Sequence, residues 1–164
     1  MTKMQAWLRG ERGEWYVVVQ GVLFALILLG PRALPGLPIW PSNSAVRWLA
    51  SVGLVLALTG MGMGALALLN LGPSLTPYPR PKENATFVGH GMYRFVRHPI
   101  YSGILFTAGG WALYRQSTLI LLYVLLLFVF FDIKSRREEQ WLQEKYREYA
   151  SYRQRVKKLI PFVY

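Results

Sequence analysis

Cysteine is absent from the chain. Its absence removes disulfides, thiolate metal ligands, cysteine nucleophiles and cysteine-ligated iron–sulfur clusters in one step. Histidine is nearly absent too: His90 and His98 are the only two. So few nitrogen and sulfur donors argue against a zinc or iron site, and no metal is expected. Acidic residues are scarce, eight Asp and Glu against 19 Lys and Arg, for a formal net charge of +11. Such a balance raises nucleic acid as a partner. The basic residues, however, lie between apolar blocks, and no DNA- or RNA-binding motif is present, so nucleic acid is not expected. What remains is a chain of 164 residues, 53% hydrophobic, with a mean hydropathy of +0.24. A soluble domain rarely combines that apolarity with that charge. A membrane protein with basic loops does, because lipid takes the apolar runs and the anionic cytoplasmic leaflet attracts Lys and Arg.

Four apolar blocks stand out, at about 15–29, 46–69, 100–114 and 118–131. The second alone reaches the roughly 20 residues that span a bilayer comfortably; the others need thinning, polar flanks or neighbours. The first block follows Lys3, Arg9 and Arg12 but lacks a small-residue cleavage site, and Pro31 and Pro35 come directly after it. It therefore reads as a retained helix rather than a signal peptide. Charge placement tests the division. Three Lys/Arg precede block one. Four (Arg80, Lys82, Arg94, Arg97) lie between blocks two and three, and nine follow block four. Arg32, Arg47 and Arg115 fall on the other side. Four spans with both termini in the cytoplasm thus put sixteen of the nineteen positive charges inside.

The expected fold is an all-α polytopic integral membrane protein of four transmembrane helices in one domain, 1–164, with a two-helix part at 1–70 and a core at 71–164. The short turn Arg115, Gln116, Ser117 makes blocks three and four an antiparallel helical hairpin, and Pro99 suits the first position of helix three. With no Pro or Gly from 117 to 152, helix four is predicted to continue past the membrane as a cytoplasmic helical extension, 132 to about 153. The loop 72–97, with Pro73, Pro77, Pro79 and Pro81, is long for a connector, and long ordered loops often carry function.

The Gly60-Met61-Gly62-Met63-Gly64 run resembles a nucleotide fingerprint but lies inside an apolar helix. It reads instead as a face where another helix comes close. Arg97-His98-Pro99-Ile100-Tyr101, with Tyr93 nearby, is the most informative cluster. Tyr and Arg alone fit an interfacial belt. His98 at a helix start, where unpaired N–H groups favour anions, points with Arg97 to a carboxylate. Glu138-Glu139 reads on its own as a solvated helix face, Glu139 meeting Arg136 or Gln143 at helical spacing. The functional alternative is a carboxylate pair that binds an ammonium or ribose hydroxyls. Trp141, Tyr146, Tyr149 and Tyr152 form an aromatic stripe expected to rest on the membrane or the loop.

Taken together, Gly91-Met92-Tyr93, Arg97-His98-Pro99-Ile100-Tyr101-Ser102-Gly103, Glu138-Glu139 with Leu142 and Tyr149, and a late Pro161-Phe162 form an ordered series. It resembles the isoprenylcysteine carboxyl methyltransferase family and its phospholipid methyltransferase relatives. Leu71-Gly72, Thr76-Pro77 and Phe87-Val88 are similar to bacterial members. The resemblance covers about 71–164. It implies a methyltransferase using S-adenosylmethionine on a lipophilic acceptor at the cytoplasmic face, by the bacterial likeness that of an inner membrane. It also implies a cofactor site on Ala85, Thr86, Phe87, Val88, Tyr93, His98, Pro99, Ile100, Tyr101, Glu138 and Glu139. His98, Arg97 and Glu139 are then the catalytic candidates. Lys134, Arg136 and Arg137 compete for the place of the family's substrate arginine. Membrane lipids are the remaining expected partner.

Methyl transfer from a sulfonium needs no metal and no covalent enzyme intermediate, only alignment. A lipid carboxylate attacks ionised; an amine must first lose a proton, with His98 or Glu139 as bases. Carboxyl O-methylation is the leading reading. A phospholipid or small-molecule N- or S-methyltransferase, a sterol-reductase-like NADPH enzyme, and a basic four-helix lipid- or partner-binding protein are the alternatives.

Overall fold

The structure, a computed structural model, describes residues 13–37, 40–41, 44–76, 78 and 80–164. Lys3, Arg9, Arg12, Pro77 and Pro79 of the sequence reading lie outside the described residues. Among the described residues five α-helices follow in order: α1 Glu14–Leu29, α2 Ser44–Leu71, α3 Pro99–Tyr114, α4 Thr118–Lys145 and α5 Tyr149–Arg155. Two 3₁₀ turns, Gly72–Ser74 and Gly91–Arg94, punctuate the loop between α2 and α3. Among the described residues there is no strand. A single parallel bridge joins Val96 to Lys157.

Helices α2 and α4 are long and apolar enough to cross a membrane, whereas α1 is a shorter apolar helix. At 1.5 Å per residue the 28 residues of α2 reach about 42 Å, and the 16 of α3 about 24 Å. The outward faces are apolar: Val55, Leu58, Leu69 and Leu125 are all more than half exposed. A water-soluble monomer rarely leaves so continuous an apolar surface open. Residues 118–131 form the apolar part of α4, and from Asp132 the same helix turns charged.

The core interlocks α1 (Leu23, Ile27), α3 (Leu105, Ala108, Ala112) and α4 (Ile120, Leu127, Phe131), closed below by Leu159. Helix α2 lies against α3 through glycines. A Cβ on Gly60 would sit 2.5 Å from the Thr107 amide nitrogen, and one on Gly103 would sit 2.7 Å from the Gly60 carbonyl oxygen. The close approach expected at Gly60 is therefore present, and Gly103 is the half of the contact that motif reading passed over.

Pro99 takes the first position of α3, with His98 as its N-cap. Ser117 caps α4, its side chain accepting from the Ile120 amide. The expected unbroken helix to about 153 is not found. Helix α4 stops at Lys145, Tyr146 is extended, and the chain restarts as α5. The reason is tertiary. Lys145 Nζ donates to the carbonyls of Lys82 and Glu83, and the Tyr146 hydroxyl donates to Ala85 O at 2.5 Å. Those bonds, with the rings of Tyr146, Tyr149 and Tyr152 around Phe87, require the chain to turn back over the loop. Local helix propensity is weak beside such packing.

Candidate active site

A cavity of about 340 Å³ opens where the loop, the start of α3, the charged part of α4 and α5 converge. Each wall has a local cause. The 85–88 stretch is held by Tyr146 from one side and by the Thr86 amide, which donates to Ser74 Oγ at 3.3 Å. The end of the loop is pinned by the Met92 amide donating to Asn70 Oδ1 at 2.9 Å. Here Gly91 has φ +59, and a Cβ would strike the Asn70 side chain. Tyr152 donates its hydroxyl to Tyr93 O at 2.5 Å. The chain then runs alongside the C-terminal segment: Arg97 N donates to Lys157 O at 2.7 Å and His98 N to Lys158 O at 3.1 Å.

This delivers His98 between two carboxylates. Its Nε2 lies 3.1 Å from Glu139 Oε1 and its Nδ1 3.5 Å from Glu138 Oε2. Both neighbours are acceptors, so a proton on either ring nitrogen faces a carboxylate. Burial by itself would push the His98 pKa down, but the bonds to Glu138 and Glu139 outweigh it and raise it above the ordinary value. The ring also stacks on Tyr101, with centroids 5.5 Å apart, and Tyr101 stacks in turn on Phe131 at 4.4 Å. His98 thus lies between the two carboxylates, against Glu138 on one edge and Glu139 on the other.

The two glutamates differ. Glu138 lines the cavity, and Tyr101 donates its hydroxyl to Oε2 at 3.0 Å. Glu139 points the other way. Oε1 accepts from Arg97 Nε at 2.7 Å as well as from His98, and Oε2 lies 3.3 Å from Arg153 Nε. Burial would raise its pKa, yet the bonds from His98 and Arg97 bring it down to about 2. Its expected contact with Arg136 or Gln143 is not what the structure shows: Arg136 pairs with Asp132 at 2.6 Å. Both oxygens of Glu139 are thus occupied by the chain's own cations, and the residue does not line this cavity. Arg97 completes its own set by donating to Val156 O at 2.5 Å and Arg153 O at 3.1 Å. The carboxylate expected at Arg97 and His98 is therefore the chain's own.

Of the other residues singled out in the sequence, Ala85, Thr86, Phe87, Val88, Tyr93, Ile100, Tyr101 and Lys134 line the cavity, as do Arg97 and His98. Pro99 does not; it is buried as the first residue of α3. Arg136 is turned to Asp132, and Arg137 donates to Gln140 and lies over the Trp141 ring. Neither reaches the cavity, so of the three competing cations only Lys134 does. The aromatic stripe divides likewise: Tyr146, Tyr149 and Tyr152 line the cavity, and Trp141 does not. Sequence reasoning passed over Gln20, which lines the cavity from α1. Its signal was a lone amide in an apolar run, where polar residues are costly and retained for a reason.

Comparison with known proteins gives the family. The family model described as phospholipid methyltransferase matches residues 48–149. A probable protein-S-isoprenylcysteine O-methyltransferase of Oryza sativa subsp. indica is 35% identical over 129 residues, 76% of this chain and 68% of that protein. The protein-S-isoprenylcysteine O-methyltransferase of Saccharomyces cerevisiae is 26% identical over 157 residues, 93% of this chain and 66% of that protein. A solved structure of the eukaryotic intramembrane Ras methyltransferase, isoprenylcysteine carboxyl methyltransferase, superposes over 99% of this chain with a TM-score of 0.65 and 21% identity. That likeness is one of fold, and the chain spans 55% of the solved protein's length. With the family model covering more than half of the chain and the rice protein 35% identical, the chain belongs to the isoprenylcysteine carboxyl methyltransferase and phospholipid methyltransferase family of membrane methyltransferases.

Proposed function

We propose that this chain transfers a methyl group from S-adenosylmethionine to a carboxylate on a lipophilic acceptor at the cytoplasmic membrane surface. The observation that carries the reading is the cavity wall itself. Glu138 is held by Tyr101 and His98 on one side and faces a loop built around Phe87 on the other.

The residues fit the cofactor. The volume lies within the roughly 300–1,000 Å³ of small-molecule sites. Glu138 offers a carboxylate for an ammonium or ribose hydroxyls. Tyr149, whose hydroxyl is buried with no hydrogen-bond partner among the described residues, also lines the cavity. Aromatic faces at Phe87, Tyr93 and Tyr101 suit a cationic sulfonium, with contributions of about 0.5–2 kcal/mol. When bound, S-adenosylmethionine supplies an electrophilic methyl: the acceptor oxygen bonds to carbon as the sulfur–carbon bond breaks with its electron pair left on sulfur, so a carboxylate becomes a neutral ester and no proton moves. The chain's residues then need only bind, orient and exclude water. His98 holds Glu138 in place, Glu139 holds His98 and is itself held by Arg97, and the 85–88 stretch covers the site.

The same reading puts α1 to α4 across the bilayer with both ends in the cytoplasm and α3 and α4 as an antiparallel hairpin joined by residues 115–117. The charge split and the three-residue link support it. The 16-residue helices α1 and α3 fall short of a hydrocarbon core about 30 Å thick, which the bilayer meets by thinning.

The test is direct. In calorimetry on the purified full chain, S-adenosylmethionine binds the wild type, and Glu138→Ala loses at least about tenfold in affinity, or 1.4 kcal/mol, while its helical circular dichroism stays unchanged. With radiolabelled donor and a lipid extract, base-labile label marks an ester. Base-stable label marks N-methylation and moves the assignment to the phospholipid branch. No binding by the wild type refutes the reading.

A further inference from the structure

A second cavity, of about 550 Å³, opens where the charged part of α4 meets the C-terminal segment. Arg97 walls both cavities. Five cations line this one: Arg97, Arg136, Arg153, Lys157 and Lys158. Among the described residues a single acid lines it, Glu139, and that carboxylate is already shared by Arg97, Arg153 and His98. Asp132 is the other acid in reach, and it is shared by Arg136 at 2.6 Å and Lys158 at 2.5 Å. The main-chain oxygen of Tyr164 is taken by the amides of Leu159 and Ile160 at 2.7 and 2.8 Å. Two side-chain carboxylates thus serve five cations. Lys157 is exposed and pairs with no carboxylate among the described residues.

The depth of the cavity is set by α4. Residues 118–131 are the apolar part of that helix, and Asp132 is the first charge after it. Lys158 and the Tyr164 hydroxyl both bond to Asp132, and the Tyr164 ring lies 6.0 Å from that of Phe128, inside the apolar run. The cavity therefore begins level with the end of the hydrocarbon, and Arg136 carries it one helical turn outward. In a helix that crosses a bilayer this is the level of the lipid head groups. The rim is apolar. Val163, which lines the cavity, is 70% exposed and Phe162 beside it 79%, with Phe95 edge-on to Phe162. Acyl chains fit that rim; a free anion leaves it bare.

We propose that this second cavity binds the phosphate of an anionic phospholipid, whose acyl chains lie along Val163 and Phe162. The inference needs α4 to cross the bilayer and takes nothing from the methyl-transfer reading. Guanidinium forks match phosphate oxygens, and ammonium groups add point charges. A zwitterionic lipid brings a cation of its own into the surplus and is disfavoured. Occupancy ties the C-terminal segment to the membrane. The carbonyls of Lys157 and Lys158 hold the amides of Arg97 and His98, so the lipid steadies the wall that the two cavities share.

The test uses the full chain and no turnover. In nanodiscs of phosphatidylcholine, replacing part of the lipid by phosphatidylglycerol should raise the melting temperature, as any ligand of the folded state does. Inorganic phosphate should not. In native mass spectrometry from detergent, the wild type should retain phosphatidylglycerol over phosphatidylcholine of the same chains by about tenfold or more. Arg136→Gln with Lys157→Gln removes two charges of the cavity and should abolish the preference. Arg147→Gln with Arg155→Gln removes two exposed charges outside it and should keep the preference. Should the first pair not fold, Lys157→Gln alone, at an exposed side chain, should lose part of it. A preference that survives the cavity variants, or falls equally in both pairs, overturns the proposal; the second result marks diffuse surface charge. Stabilisation by inorganic phosphate equal to that by phosphatidylglycerol also overturns it, in favour of a free anion. Neither readout involves S-adenosylmethionine, so a chain that fails to bind the cofactor but keeps the lipid preference refutes the methyl-transfer reading and leaves this one standing.

Discussion

Replacing Glu139 by Gln keeps the shape of the side chain and removes its charge, which isolates what that charge does. In the native chain its carboxylate, 4% exposed, holds Arg97 at 2.7 Å, His98 at 3.1 Å and Arg153 at 3.3 Å. Breaking a buried ion pair from one side costs about 3–5 kcal/mol, because the partner charge stays buried. Arg97 keeps the carbonyls of Val156 and Arg153, so the low end, about 3 kcal/mol, is expected. For a chain of this size each kcal/mol moves Tm by about 2–4 °C, so the variant should melt about 6–12 °C lower. The pH dependence has a definite sign. Glu139 titrates at about 2 when folded against an ordinary 4.5; its contribution is present above 4.5 and is lost as pH falls toward 2. His98 is raised above 6.5; its contribution is full below 6.5 and is lost as pH rises through the folded value. The gap between wild type and variant should therefore be widest between about pH 4.5 and 6.5 and narrow on either side. Thermal unfolding in detergent across that range reads it. Carbon-detected NMR of the two histidines reads His98 separately, its titration moving down in the variant. A gap independent of pH, or a Tm loss under about 2 °C with His98 unmoved, would refute the reasoning.

The absence of cysteine allows a direct topology test. Arg115→Cys and Glu148→Cys should react with an impermeant thiol reagent from opposite faces of sealed vesicles; labelling from the same face rejects the four-span arrangement. Gly103→Val places a side chain against the Gly60 carbonyl oxygen, 2.7 Å from its Cβ. Such overpacking costs typically about 1–3 kcal/mol, so a lower melting temperature is expected, and an unchanged one would mean that α2 and α3 do not meet as described. Tyr146→Phe removes one hydrogen bond to Ala85 O, worth about 0.5–1.5 kcal/mol. It should weaken S-adenosylmethionine binding by about two- to tenfold in calorimetry, with the melting temperature little changed; unaltered affinity would separate the 85–88 stretch from the site.

The parts of this molecule that were legible in the sequence are those with a local cause. Pro99 starts α3 because its missing N–H costs nothing there, and the four apolar blocks reappear as α1 to α4. The end of α4 was not legible. Nothing between 117 and 152 breaks a helix; the break at Tyr146 comes from Lys145 and Tyr146 reaching carbonyls more than 60 residues away. The pairing of Val96 with Lys157 and the meeting of Gln20 with Lys134 are invisible for the same reason. The Glu138-Glu139 pair lies between these cases. Neighbouring residues on a helix point about 100° apart, so two consecutive glutamates cannot face one ligand together. One must line the cavity and the other turn behind it, though spacing alone does not say which. The choice is made by the C-terminal segment. Lys157 and Lys158 hold the backbone of Arg97 and His98, and the imidazole, with a nitrogen on each edge, spans the angle between the two acids. What reads in the sequence as a repeated charge is in space a chain of contacts: Arg97 and the ring both bond the outer acid, and the ring lies against the inner acid at the cavity.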